Sequence, residues 1–249
     1  MPVPPAEADR VRVSGEVYLW LASVKSSVAF GLPRGNTVSA DTDLSAGDLL
    51  QSLNFAAMGD FEVRYGPAAL FNDLIYVDVL QSGSRVRAVT GPLGRQVPVT
   101  LGSKVRLKEF IWTAVAGYDA FRDERNYLQV FGGFRYVSVN SKLTWQFALP
   151  VGDVGVSGTD KANADIVDVV VGARGESALG GSRWKLVYYA DVGGGESERT
   201  WQASGKIAYA WSWGDVAVGY RHLEYKPGGG SALQELKMSG PILSARYRF

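Results

Sequence analysis

The stretch from Glu235 to Phe249, ELKMSGPILSARYRF, decides the fold. Taken by twos from its end, Phe249, Tyr247, Ala245, Leu243 and Pro241 share one face, and Arg248, Arg246, Ser244 and Ile242 share the other. Side chains alternate across a strand, so the pattern describes an apolar wall backed by a largely polar one. In water, an amphipathic strand that finishes on Phe leaves the ring uncovered. In a closed transmembrane barrel the ring faces lipid while the last strand seals the wall against the first.

The bulk composition narrows the classes. The 249 residues suffice for one large β-domain or two ordinary ones. Cysteine is absent, which excludes a disulfide framework, a thiolate metal site and a cysteine nucleophile. Lys and Arg total 26 against 25 Asp and Glu, a net charge of +1, so no nucleic-acid partner is expected. No apolar run approaches the roughly 20 residues that a membrane helix needs. The mean hydropathy of −0.03 has the look of a soluble chain. Barrels hide from hydropathy in this way, because only alternate residues face lipid. Thirty Gly and 12% aromatic residues indicate many turns and a β-rich chain. Residues 1–10, MPVPPAEADR, read as a flexible tail, and residues 11–249 as a single barrel domain. The start lacks the basic and apolar regions of a secretion leader, so an exported chain is expected here in its mature form.

Alternation marks the remaining strands. Strand one runs from about Val11 to Val24, with Val13, Val17 and Leu19 opposite Glu16, Tyr18 and Trp20. A long connection over 30–51 contains DLSAGDLLQSL, which has the spacing of a short amphipathic helix. Strand two sets Phe55, Phe61, Val63 and Tyr65 against Asp60, Glu62 and Arg64, and a Gly66–Pro67 turn leads to strand three, with Leu70, Leu74 and Tyr76 opposite Asp73. A second long connection spans 81–104. Strand four places Phe110, Trp112 and Tyr118 opposite Glu109 and Thr113, and the charged turn FRDER leads to strand five, with Leu128, Val130, Phe134 and Tyr136 opposite Gln129 and Arg135. A third long connection covers 140–163. Strand six opposes Val167, Val169 and Val171 to Asp168 and Arg174, and strand seven opposes Trp184, Leu186 and Tyr188 to Lys185 and Asp191. GGGESER, residues 193–199, reads as a fourth outer loop before strand eight, where Trp201, Ala203, Ile207 and Trp211 oppose Gln202 and Lys206. Strand nine sets Val216, Val218 and Tyr220 against Arg221, and KPGGGSAL connects it to the terminal strand.

The expected fold is therefore all-β: a ten-stranded antiparallel up-and-down transmembrane barrel with short periplasmic turns and long extracellular loops. Aromatic residues flank the apolar faces as interfacial girdles do, the members being Tyr65, Trp112, Tyr118, Trp184, Trp201, Trp211, Tyr220, Tyr247 and Phe249. On AAMGDFEVRYGPAALFNDLIYVDV (56–79), YYADVGGGESERTWQASGKIAYAWSWGDVAVGYRHLEY (188–225) and SGPILSARYRF (239–249), the chain resembles proteobacterial outer-membrane barrels of the OmpA/OmpW-like kind. The resemblance implies a bacterial outer-membrane location and, as partners, the lipid bilayer, lipopolysaccharide and the barrel-assembly machinery, which reads the C-terminal strand. It implies no particular activity; a monomer is expected.

The inner face collects Glu16, Asp60, Glu62, Asp73, Glu109, Asp168 and Asp191 with Arg64, Arg135, Arg174, Lys185, Lys206, Arg221 and Arg246. Such charges form a paired structural network or line a narrow passive channel for small solutes or ions. A different class is a barrel enzyme, a protease or lipid-modifying enzyme, with a site at the outer rim near the single histidine, His222, and Glu224 two residues on. Parity with Tyr220 puts His222 on the lipid-facing side instead. No catalytic residue, metal ligand set or cofactor motif stands out; the Gly-rich loops lack the ending and helix of a phosphate loop. A soluble ligand-binding barrel would invert the two faces.

Overall fold

The computed structural model describes residues 10–31, 37–82, 89–90, 96–97, 104–148, 155–228 and 233–249. Its strands are β1 (Val11–Trp20), β2 (Ser23–Gly31), β3 (Thr37–Leu44), β4 (Leu53–Tyr65), β5 (Ala68–Ser82), β6 (Val89–Thr90), β7 (Gln96–Val97), β8 (Lys104–Arg122), β9 (Tyr127–Ala148), β10 (Gly155–Ala178), β11 (Trp184–Gly195), β12 (Ser197–Ala210), β13 (Gly214–Pro227) and β14 (Leu233–Arg248). One helix, α1 (Ala46–Ser52), precedes β4. The expected tail, except Arg10, and parts of the connections through TGPLGRQVP and KPGGGSAL lie outside the described residues.

β1 and β2 are two parts of one wall strand. They are separated by Leu21 and Ala22, and both pair with β14. With them counted as one, ten antiparallel strands close the barrel: β1/β2, β4, β5 and β8 to β14. Closure runs from Ser14↔Arg248 to Trp20↔Ile242, and the Phe249 amide donates to the Val13 carbonyl at 3.0 Å. Both ends of the barrel wall thus lie at the end that also carries the short turns, here termed proximal.

Those turns have local causes. Gly66 adopts φ 54°, a left-handed conformation that a side chain disfavours, and so permits the β4–β5 reversal. In the β8–β9 turn the Asp123 carboxylate accepts from the backbone amides of Arg125 and Asn126, both at 2.7 Å, and from the Asn126 side chain. The Asn126 side chain first, and the Arg125 backbone amide after it, hold the Asp123 carboxyl below its ordinary pKa.

The distal end differs from the expected pattern of long loops. Residues 140–148 and 155–163 are strand rather than loop: β9 and β10 pair without interruption from Tyr127↔Glu176 to Ala148↔Gly155. GGGESER is not a loop either. β11 and β12 are joined through Glu196 alone, and Asp168 ties down the turn by accepting from the Ser197 amide at 2.9 Å and from its hydroxyl. The first long connection holds β3, which pairs with β2, and the expected helix. Ser45 and Asp48 cap α1 reciprocally, each side chain bonding the other's backbone amide at 3.2 Å.

Face polarity changes along the strands. In the proximal and middle zone the outward face is apolar, with Val17, Val169, Val171 and Val218 each more than half exposed. Further distally the outward residues become polar: Ser138, Asn140 and Lys142 on β9, and Asp165, Asn163 and Lys161 on β10. The inward face inverts at the same level. Ile75, Val77 and Val79 of β5, Leu107 and Ile111 of β8, Val137, Val139 and Leu143 of β9, and Leu223 and Tyr225 of β13 form one buried apolar core with Trp20, Leu44, Leu236 and Met238. Leu49 of α1 packs into it.

Candidate functional site: an ionic floor beneath an apolar seal

Of the fourteen charged residues selected from alternation, Glu16, Arg64, Asp73, Glu109, Arg135, Asp168, Arg174, Asp191, Lys206 and Arg221 are buried, and Asp60, Glu62, Lys185 and Arg246 are half-buried. Four clusters organise these charges. Arg221 pairs with Asp73 and donates to the Tyr18 hydroxyl at 3.0 Å and to Gln202 at 2.9 Å, while Tyr18 donates to Asp73 at 2.5 Å. Arg135 pairs with Asp191, both fully buried, and its Nε–H donates to the Thr113 hydroxyl at 2.9 Å. Nearer the proximal mouth, Lys206 and Arg246 share Glu16, and Arg246 bridges on to Glu176 at 2.5 Å. Lys185 then links Glu176 to Asp215, each at 2.7 Å, and Arg248 also reaches Asp215. Arg64 joins Glu62 at 3.0 Å and Asp119 at 2.7 Å, and Arg174 also pairs with Glu62.

Low dielectric makes each unpaired charge costly here, so the carboxylates and bases hold one another. Interior glycines make the space: a Cβ on Gly133 would collide with the backbone of Ala114 and Val115 on β8. Alternation overlooked Asp119, Glu176 and Asp215, although Glu176 follows Arg174 by two and Asp215 precedes Val216 by one. Glu109 is the outlier of the fourteen. It sits between Val77 and Val139 in register, buried, and its Oε1 has no hydrogen-bond partner among the described residues.

Two voids flank this floor. One of about 50 Å³, lined by Tyr18, Asp60, Asp73, Lys206, Arg221 and Ile242, has room for a few waters. The other is a proximal vestibule of about 1060 Å³, lined by Arg12, Arg64, Arg122, Lys185, Arg246 and Arg248 among others.

Aromatic residues gather in two belts on the outside. Proximally, Tyr65, Tyr118, Trp184, Trp211, Tyr247 and Phe249 are all exposed; Tyr209 stacks edgewise between Trp184 and Trp211, and Tyr247 on Phe249, each at 5.0 Å. At the polarity switch Trp112 meets Phe134 at 5.0 Å, and Phe110 meets Tyr136 at 6.2 Å. Tyr220 belongs to neither belt. It stands part-way between them, in register with Gly205 and Pro241.

His222 lies on the outer wall at the switch, as parity requires. Its ring packs against Trp201 at 4.3 Å, its Nδ1 is 2.5 Å from the Ser239 hydroxyl, and its Nε2 is 3.8 Å from Glu224. Glu224 accepts from the Trp201 indole at 3.3 Å. His222 lines neither void.

No protein-family model matches the chain, and no curated protein matches its sequence. Solved structures do. The outer-membrane protease OmpT from Escherichia coli superposes with a TM-score of 0.50 at 8% identity, covering 96% of this chain and 97% of that one. The translocator domain of the autotransporter NalP from Neisseria meningitidis gives 0.42 at 14% identity, with 96% and 88% covered. The toluene transporter TodX from Pseudomonas putida gives 0.31 at 8% identity, with 99% and 90% covered. At such identities the OmpT likeness speaks to architecture: the chain has the fold of the outer-membrane β-barrels.

Proposed function

We propose that the protein is a monomeric integral outer-membrane barrel whose lumen is closed, with a structural role in the envelope rather than passage of solutes. The observation that carries this reading is the inverted interior. Outside, the apolar band between two aromatic belts matches a bilayer. Inside, any path would have to cross a paired ionic floor and then a core of Trp20, Ile75, Ile111, Val137, Leu223 and Met238, each no more than 1% exposed. Of the two roles open to the inner charges, a structural network fits better, since eleven of the fourteen form an ion pair, Asp60, Glu109 and Asp168 being the exceptions among the described residues. Kinship with OmpA/OmpW-like barrels belongs to the same reading, supported by the terminal SGPILSARYRF strand closing on β1.

Planar-bilayer recording of the refolded protein tests it. Folded, inserted protein is expected to stay electrically silent. Steady ohmic openings, altered by Arg221→Ala or Lys206→Ala, would establish the channel instead.

A further inference from the structure

The proximal vestibule of about 1060 Å³ is not neutral: among the described residues that line it, seven cations face five carboxylates. Lys185, Arg246 and Arg248 are bound into the chain of pairs through Glu16, Glu176 and Asp215. Asp123 is taken up in its own turn. The surplus falls on the wall made by β1, β4 and the end of β8. There Glu62 and Asp119 serve three arginines between them. Glu62 pairs with Arg64 at 3.0 Å and with Arg174, and Asp119 pairs with Arg64 at 2.7 Å and Arg122 at 2.6 Å. Arg12, in register with Arg64, has no partner among the described residues.

Donors remain on this wall. The Arg64 side chain is only 5% exposed. Its Nε donates to Glu62 and its Nη1 to Asp119, while its Nη2 is buried with no hydrogen-bond partner among the described residues. The Tyr127 ring holds two of the guanidiniums in place, that of Arg64 at 4.8 Å from its centroid and that of Arg122 at 5.4 Å. Like charges directly opposite on a sheet repel, as Arg12 and Arg64 do here, and both of them repel Arg122. A buried donor without an acceptor adds its own cost. An anion lodged among Arg12, Arg64 and Arg122 would relieve both.

We propose that the vestibule is a binding site for a small organic phosphate monoester that enters from the proximal side. Arg12, Arg64 and Arg122 take the phosphate, and Val13, Tyr118 and Phe249, which also line the chamber, take the organic part. A phosphate monoester carries a charge of about −1.5 to −2 at neutral pH, which matches the surplus better than the single charge of a carboxylate. Guanidinium forks suit such an oxyanion through paired hydrogen bonds. The chamber reaches the upper end of small-molecule sites, roughly 300–1000 Å³, so free phosphate would leave most of it unfilled. The site needs only the proximal mouth of the barrel, and it stands whether or not the lumen conducts.

The test is calorimetric titration of refolded full-length protein, in zwitterionic detergent at low salt, with phenyl phosphate as the probe. Arg64 is left in place, because its loss would strand Glu62 and Asp119. Arg12→Gln with Arg122→Gln is expected to weaken binding on the order of 100-fold. Arg199→Gln with Lys226→Gln removes the same charge at the distal end and is expected to leave binding unchanged. Protease resistance confirms that both pairs fold; Arg12 has no partner to lose, and Asp119 keeps Arg64. Absence of binding to wild type, or the same affinity in both double variants, would overturn the site. Benzoate binding as tightly as phenyl phosphate would overturn the choice of phosphate, and inorganic phosphate binding as tightly would overturn the organic part. A second readout does not use affinity. Phenyl phosphate should protect Arg12 and Arg122, but not Arg199, from modification by phenylglyoxal, as mapped by peptide mass spectrometry. Equal modification with and without the probe would also overturn the proposal.

Discussion

The proximal and distal halves of this barrel are built from the same strands with opposite solvents in mind. Along β9 the outward residues run Leu128, Val130, Phe134, Tyr136 and then Ser138, Asn140, Lys142, while the inward ones run Gln129, Arg135 and then Val137, Val139, Leu143. The proximal half keeps ions inside and hydrocarbon outside; the distal half has the polarity of a soluble β-domain. The backbone does not change across the switch, because pleat and ladder are indifferent to which face is wet. What changes is which face must be dry.

That contrast can be broken by substitution. The largest effect is expected inside the proximal half. Arg135→Ala leaves Asp191 buried and alone and should cost about 3–5 kcal/mol in denaturant unfolding of the folded barrel. The comparable loss of Arg106, an outward distal ion-pair partner of Asp78 with 44% of its side chain exposed, should cost far less, because solvent screens the pair. Next comes the distal core. Leu223→Ala empties a fully buried position and should cost about 2–5 kcal/mol by the same measurement, with insertion into vesicles retained. If Leu223→Ala were neutral, the distal seal would not be a packed core.

Arginine on the outer wall sharpens the boundary. Val169→Arg or Ala203→Arg should cost about 2–4 kcal/mol if near the bilayer midplane. Thr159→Arg, outward on the distal part of β10, should stay within about 0.5 kcal/mol. Equal costs would erase the switch. A turn gives a modest effect that does not depend on the switch: Gly66→Ala at φ 54° should cost about 1–2 kcal/mol, whatever the lipid.

The wall strands were legible because period-two alternation survives without any knowledge of tertiary contacts. The distal structure was not, and the reason is the inversion. Searching for apolar residues on the outward parity loses the strand once that parity turns polar, so residues 140–163 read as a loop although Val139 and Leu143 continue the inward face. GGGESER misled for a different reason. Glycine suggests a flexible loop, yet Gly193, Gly194 and Gly195 pair with Val170, Val169 and Asp168, and the turn is fixed by a side chain 29 residues away. Asp215 was hidden by its place at the very start of a strand, one residue into β13, and Asp119 by its place next to the irregularity that shifts register before Phe121.

The polarity switch also bears on how such a chain is delivered. Each face alternates across the strand and then reverses along it, so apolar side chains are never consecutive for long, even in strands of 22 and 24 residues such as β9 and β10. A translocating machine that arrests on continuous hydrocarbon would find nothing in these strands to stop it. The chain can therefore travel as a polar polymer and become a membrane protein only once alternation is converted into two faces by pairing.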